Sequence, residues 1–191
     1  MILSDRDIKK AIKQGRIKIR PQINFKTQLG SCSIDLRLGR RFRIFNHPQC
    51  PYIDPLDKKG ISELTQLVVA SEKKPFTIHS RDLVLAETME TLELADDLLA
   101  RLEGRSSIGR LGVIVHSTAS VFDPGWRGKV VLEMGNLGHM PVLLYPGMRI
   151  CSLTFETLSS PAEVPYYKKK GAKYIGQSGP GVSKIFEEIR K

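Results

Sequence analysis

Ser33-Ile34-Asp35-Leu36-Arg37-Leu38-Gly39, followed by Arg41-Phe42-Arg43-Ile44-Phe45, alternates apolar and polar side chains. A period of two belongs to a strand with one dry face and one wet face. The first run stops at Gly39. Working outward, Arg16-Ile17-Lys18-Ile19-Arg20 alternates likewise and ends at Pro21. The stretch before it predicts a helix. Ser4 can cap it, Asp5 and Asp7 suit its positive end, and Ile2, Ile8, Ile12 and Ile17 are spaced to make one apolar face. Residues 46–60 read as loop, with Asn46, Pro48, Pro51, Pro55 and Gly60. Further short strands are predicted near 76–79, 83–90, 98–103, 112–116, 129–134, 142–145 and 149–157. Pro124-Gly125, Gly135-Asn136 and Pro146-Gly147 supply turn signals between them. Many short strands at regular spacing predict a mainly β fold, a barrel or jelly roll, with a short N-terminal helix added.

The chain has 191 residues, 41% of them hydrophobic and 26% charged, enough to bury a core and suited to a single domain over 1–191. No apolar run is long enough to span a bilayer, so no membrane is expected, and Met1 to Asp7 contains no signal-peptide core. Cys32, Cys50 and Cys151 form a sparse, odd set that fits a reducing, cytoplasmic setting rather than a disulfide framework. They also exclude zinc-dependent deaminase chemistry. That chemistry needs a His-x-Glu and a Cys-x-x-Cys, whereas His47, His79, His116 and His139 are followed two places on by Gln49, Arg81, Thr118 and Pro141. Thirty Lys and Arg against twenty Asp and Glu leave a net charge of +10. Such a field suits a polyanion or a solvated surface. The basic residues are scattered and no nucleic-acid-binding motif accompanies them, so a small phosphorylated ligand is served at least as well as nucleic acid.

The densest chemistry lies between Gly104 and Asn136. Gly104-Arg105-Ser106-Ser107-Ile108-Gly109-Arg110 combines guanidinium forks, hydroxyls and close-approach glycines, as phosphate contact requires, though a polar turn would look similar. In Lys129-Val130-Val131-Leu132-Glu133-Met134-Gly135, Glu133 is the odd residue. A carboxylate inside an apolar strand is costly unless paired or used. It could serve as a general base or could simply face solvent. Val131, Glu133 and Gly135 share one face, and Val130, Leu132 and Met134 the other.

These words resemble the signature of the dCTP deaminase family, a branch of the trimeric dUTPase-like fold. The resemblance is carried by Gly104 to Gly112, His116-Ser117-Thr118-Ala119, Asp123-Pro124-Gly125-Trp126-Arg127-Gly128 and Val131-Leu132-Glu133. It extends to Met1 to Ile8, Ser33 to Gly39, Tyr145 to Ile150, Ser160-Pro161-Ala162, and Ala172-Lys173-Tyr174 with Gln177. It implies a distorted jelly-roll barrel, a homotrimer with sites between subunits, and zinc-independent hydrolysis of the 4-amino group of dCTP in pyrimidine deoxyribonucleotide biosynthesis.

By that resemblance Glu133 is the general base, and Ser106 and Arg110 position the water and stabilise developing charge. The backbone at Ala119 and Val131 reads the cytosine edge. Asp123 accepts a hydrogen bond from the 3′-hydroxyl, and Trp126 packs on the sugar, leaving no room for a 2′-hydroxyl. Arg105 and Ser107 hold the triphosphate with its Mg²⁺. Tyr166, Lys173 and Gln177 close over the phosphates, the last two from a flexible tail over 168–191. Trp126 and Glu133 to Asn136 resemble members that stop at dUTP. The tail from Lys173 to Pro180 resembles members that continue to dUMP and pyrophosphate, and Val121 stands where single-step members often carry arginine.

Overall fold

The protein is described here by a computed structural model covering residues 1–46 and 52–189. Cys50, His47, Pro48 and Pro51 therefore lie outside the described residues. The architecture is mainly β, as the alternating runs predict. Eleven described strands are β1 (Ile17–Arg20), β2 (Ser33–Phe45), β3 (Thr65–Val69), β4 (Phe76–Ile78), β5 (Leu83–Leu94), β6 (Leu98–Gly104), β7 (Val113–Ile114), β8 (Val121–Phe122), β9 (Arg127–Asn136), β10 (Val142–Leu144) and β11 (Arg149–Thr157). Nine of them form one antiparallel sheet in the order β7-β9-β5-β2-β11-β6-β8, with β1 on β5 and β3 on β2, while β10 pairs with β4.

The helices are short. In α1 (Asp5–Lys13), the Ser4 hydroxyl accepts from the Asp7 amide at 3.4 Å, and Ile8 and Ala11 turn inward. Ile2 does not join that face: it is exposed and bridges Glu156 of β11. Single turns α2 (Phe25–Gln28), α3 (Lys58–Glu63), α4 (Ser106–Gly109) and α5 (Phe186–Ile189) add to the one helix the sequence predicts. A run of four to six residues carries too little apolar period to announce itself.

Two predicted breaks fall inside strands. Gly39 lies within β2, which runs on to Phe45. Gly39 marks a bulge: its pairing with β5 shifts between Leu38 and Phe42, and a Cβ there would stand 2.7 Å from the Glu87 side chain and 2.9 Å from its carbonyl oxygen. Gly135-Asn136 ends β9 and makes no turn of its own. The buried Asn136 amide donates to the Ile78 and Met140 carbonyls and accepts from the Gly138 amide, and so holds the turn that follows.

The bulged middle of β5 buries two carboxylates, and β2 supplies an arginine to each. Glu90 accepts from the Arg37 amide at 2.8 Å, Arg37 Nε at 2.7 Å and Gln28 Nε2 at 3.2 Å. Glu87 receives Arg41 Nε at 2.8 Å and Nη2 at 2.5 Å. Removing one partner of a buried ion pair leaves an uncompensated charge. Arg37→Met is therefore expected to lower unfolding free energy by about 3 kcal/mol in urea titrations. Stability within 0.5 kcal/mol of the parent, roughly the scatter of ordinary surface substitutions, would show that Glu90 does not need this partner.

Candidate active site

On β9 the alternation is resolved. Val130, Leu132 and Met134 are fully buried in the core, while Val131 and Glu133 stand on the opposite face. That face opens on a cavity of about 430 Å³. Glu133 lies in register with Leu85 of β5, and Leu83, Leu85, Phe45 and Val121 contribute apolar wall. Among the described residues the Glu133 carboxylate has no hydrogen bond or ion pair. An acid in an apolar-walled cleft without a partner is available to a ligand or to water.

Seven of the residues singled out from sequence line this one cavity: Glu133, Val131, Ala119, Asp123, Trp126, Tyr166 and Gln177. Trp126 is held edge-on by Phe122, with ring centres 5.0 Å apart, and lies 5.2 Å from the Tyr166 ring. Its Nε1 is buried and, among the described residues, has no acceptor. The turn before it depends on Gly125, whose φ of +78° suits glycine and whose missing Cβ would overlap Pro165 and Tyr167 at 2.7 Å. The Tyr166 amide donates to the Pro124 carbonyl at 2.7 Å, which fastens the 3-10 turn Tyr166–Lys168 to the cavity rim. Asp123 is half-buried, with Lys169 Nζ 3.9 Å away.

Gln177 reaches the site through backbone pairing. The Lys129 amide donates to the Gln177 carbonyl, and Gln177 Nε2 donates to the Lys129 carbonyl, both at 2.9 Å. Gly128 permits this approach: a Cβ would lie 3.1 Å from both the nitrogen and the carbonyl oxygen of Gln177.

The remaining candidates do not line the cavity of this chain. Ser106, Ser107 and Arg110 sit exposed on or beside α4. Arg105 precedes α4 and is held by Asp35 at 3.1 Å, while its Nη1 donates to the Arg149 carbonyl at 2.9 Å. Arg149 also meets Asp35 at 3.1 Å. Lys173 pairs with Glu188, and that hydrogen bond holds its ammonium pKa above the ordinary lysine value. His116 has a buried Nδ1 without a partner among the described residues.

Several lining residues were given no role from the sequence: Phe45, Leu83, Leu85, Tyr174, which lay within a quoted motif, and Gly181-Val182-Ser183. Leu83-Val84-Leu85 carried a faint signal, because an unbroken apolar run in a strand wants cover on both faces. Among the described residues no group of three or more His, Cys, Asp and Glu side chains is arranged to hold a metal ion.

Residues 2–158 match the family model described as dCTP deaminase-like. The chain is similar to the dCTP deaminase of Thermomicrobium roseum, at 56% identity over 99% of this chain and 96% of that one. It is 50% identical to the dUMP-forming dCTP deaminase of Methanosphaera stadtmanae, over 98% of this chain and 95% of the relative. Among solved structures, the 2′-deoxycytidine 5′-triphosphate deaminase of Agrobacterium tumefaciens superposes with a TM-score of 0.64 at 21% identity. That match covers 82% of this chain but only 48% of the other, and it speaks to the fold alone.

Gly125→Ala forces a left-handed φ on a Cβ that has no room. It is expected to cost about 2 kcal/mol of unfolding free energy, by chemical denaturation. A neutral result would mean that the Pro124-Gly125 turn is not braced by Pro165 and Tyr167.

Proposed function

The chain belongs to the dCTP deaminase-like family, and we propose that it hydrolyses the 4-amino group of dCTP to give dUTP and ammonia, with Glu133 carrying the proton. The observation that carries this reading is the Glu133 carboxylate, without a partner among the described residues, in a cavity also lined by Ala119, Val131, Asp123 and Trp126. Water attacks C4 of the cytosine while Glu133 takes one of its protons. Attack leaves the centre with a hydroxyl, the amine and negative charge on N3; Glu133 returns its proton to the amine, which departs as ammonia, and the hydroxyl proton passes to N3, so that C4 becomes a carbonyl, N3 carries hydrogen and the carboxylate is restored. No zinc enters this scheme. Mg²⁺ arrives on the triphosphate as part of the substrate.

Ala119 and Val131 present backbone to the base, Asp123 meets the 3′-hydroxyl, and Trp126 bears on the sugar at C2′. Ser106 and Arg110 steady the water and the developing charge, and Arg105 and Ser107 face the triphosphate. Tyr166, Lys173 and Gln177 act from above, with 168–191 as the closing tail of a single domain over 1–191.

We place Ser106 and Arg110 in a neighbouring subunit's site, within a homotrimer. Two observations support this. Both residues stand outside the cavity of their own chain. Beside them Leu111, Leu137 and Met140 are exposed at 54%, 76% and 75% on two loops joined by the Leu137 amide and Gly112 carbonyl. Contiguous exposed apolar side chains of this kind mark a protein contact. We assign the enzyme to the cytoplasm, where its nucleotide is made; no described helix is long and apolar enough to cross a membrane.

A second reading has its own support. Relatives at 50% identity carry the name dCTP deaminase, dUMP-forming, and Val121 rather than arginine lines the cavity. In that reading dUTP goes on to dUMP and pyrophosphate.

Incubation of dCTP with Mg²⁺ separates the two: ammonia with dUTP supports the first, and ammonia with dUMP and pyrophosphate the second. Absence of ammonia rejects both. Glu133→Gln is expected to abolish deamination while dCTP binding stays within about tenfold, since the amide keeps the shape but not the proton affinity. Most of the rate surviving would remove Glu133 from its role. Because a +10 chain attracts an anionic nucleotide over long range, kcat/KM is expected to fall as salt rises from 0.05 to 0.5 M, roughly the range over which screening takes hold. A flat salt profile would argue against steering.

A further inference from the structure

Past Gln177 the chain leaves β9 and crosses to β2, where two arginines meet it. Arg41 Nη2 donates to the Ser178 carbonyl while the same guanidinium grips Glu87, and Arg43 Nε donates to the Pro180 carbonyl at 2.7 Å. Arg41 and Arg43 are two apart on one face of β2, and the carbonyls they hold are two apart on the tail. An extended segment laid along a strand presents its groups at that repeat. Gly179, between the two carbonyls, lies flush on the guanidinium: a Cβ there would be 2.8 Å from Arg41 Cζ. The Arg41 fork is fixed from behind by the buried Glu87, and Arg43 is steadied by Thr65 Oγ1 at 3.0 Å. Immediately beyond the clasp, Gly181, Val182 and Ser183 line the cavity that contains Glu133. The Lys184 amide then donates to the Tyr174 hydroxyl at 3.2 Å, and Tyr174 lines the cavity too.

We propose that Arg41 and Arg43 are positioning residues for nucleotide binding: they seat Ser178–Pro180 on β2 and so hold Gly181–Ser183 as one wall of the site. Neither arginine lines the cavity. Their action passes through the tail, and the inference rests on reading this cavity as the dCTP site.

The test uses the full chain with Arg43→Gln and, separately, Gly179→Ala. The second changes no residue of the sheet, and Gly179 is not among the residues with positive φ, so alanine meets no backbone obstacle there, only the guanidinium. Amide hydrogen exchange over 178–184 without nucleotide is expected to quicken about tenfold or more in both variants, since the clasp sets local opening. KM for dCTP is expected to rise about tenfold with kcat within about threefold, and Arg43→Lys, which keeps a donor for the Pro180 carbonyl, to recover most of the loss. Unchanged exchange in both variants overturns the clasp. Quickened exchange with unchanged KM overturns its part in binding. If the parent chain does not deaminate dCTP, the functional reading fails, while the exchange measurement still decides whether the arginines hold the tail.

Discussion

Strand β9 can bury Val130, Leu132 and Met134 only by turning Val131 and Glu133 the other way, because successive side chains of a strand point to opposite faces. The placement of Glu133 on the cavity follows from that constraint. The core face is held by β5 on one side and the short β7 on the other, so the strand cannot rotate or slip by one residue without putting Glu133 into the core. The acid is thus fixed in position by the burial of its neighbours, with no bond to its own carboxylate among the described residues.

The contrast with the other acids of the sheet is informative. Glu87 and Glu90 are buried and each is answered by an arginine of β2. Asp35 lies between Arg105 and Arg149. These pairs shape the bulges and hold the loop before α4. Glu133 alone among these acids is left to the cavity, although the chain carries ten more basic than acidic residues. A carboxylate that does not neutralise a structural arginine keeps its lone pairs for a water molecule, which is what proton transfer without a metal requires.

The site is also divided in space. The pieces that would read base and sugar converge in one chain, around β9, the Pro124-Gly125 turn and the tail. The serines and arginine of α4 stand elsewhere, next to exposed leucines and a methionine. In the proposed trimer that apolar surface and those polar groups reach the neighbour together, so association and completion of the site become one event.

Alternation carries information within a strand, and Ser33 to Leu38, Arg41 to Phe45 and Lys129 to Met134 were legible for that reason: hydrophobic burial with a period of two is written in side chains. The same pattern singled out Glu133 but left it open between a base and a solvent-facing acid; the role proposed for it came from the resemblance. Sequence also placed Asp123, Trp126 and Gln177 near it through the resemblance of their words, and all three line the cavity. What tertiary structure alone decided was where glycine means bulge instead of turn, as at Gly39, and how residues 178–183 meet Arg41 and Arg43. Those meetings run through backbone carbonyls, which every residue possesses alike. A contact made to the main chain leaves no mark on the identity of the residue that accepts it, so only the folded path of the chain could reveal it.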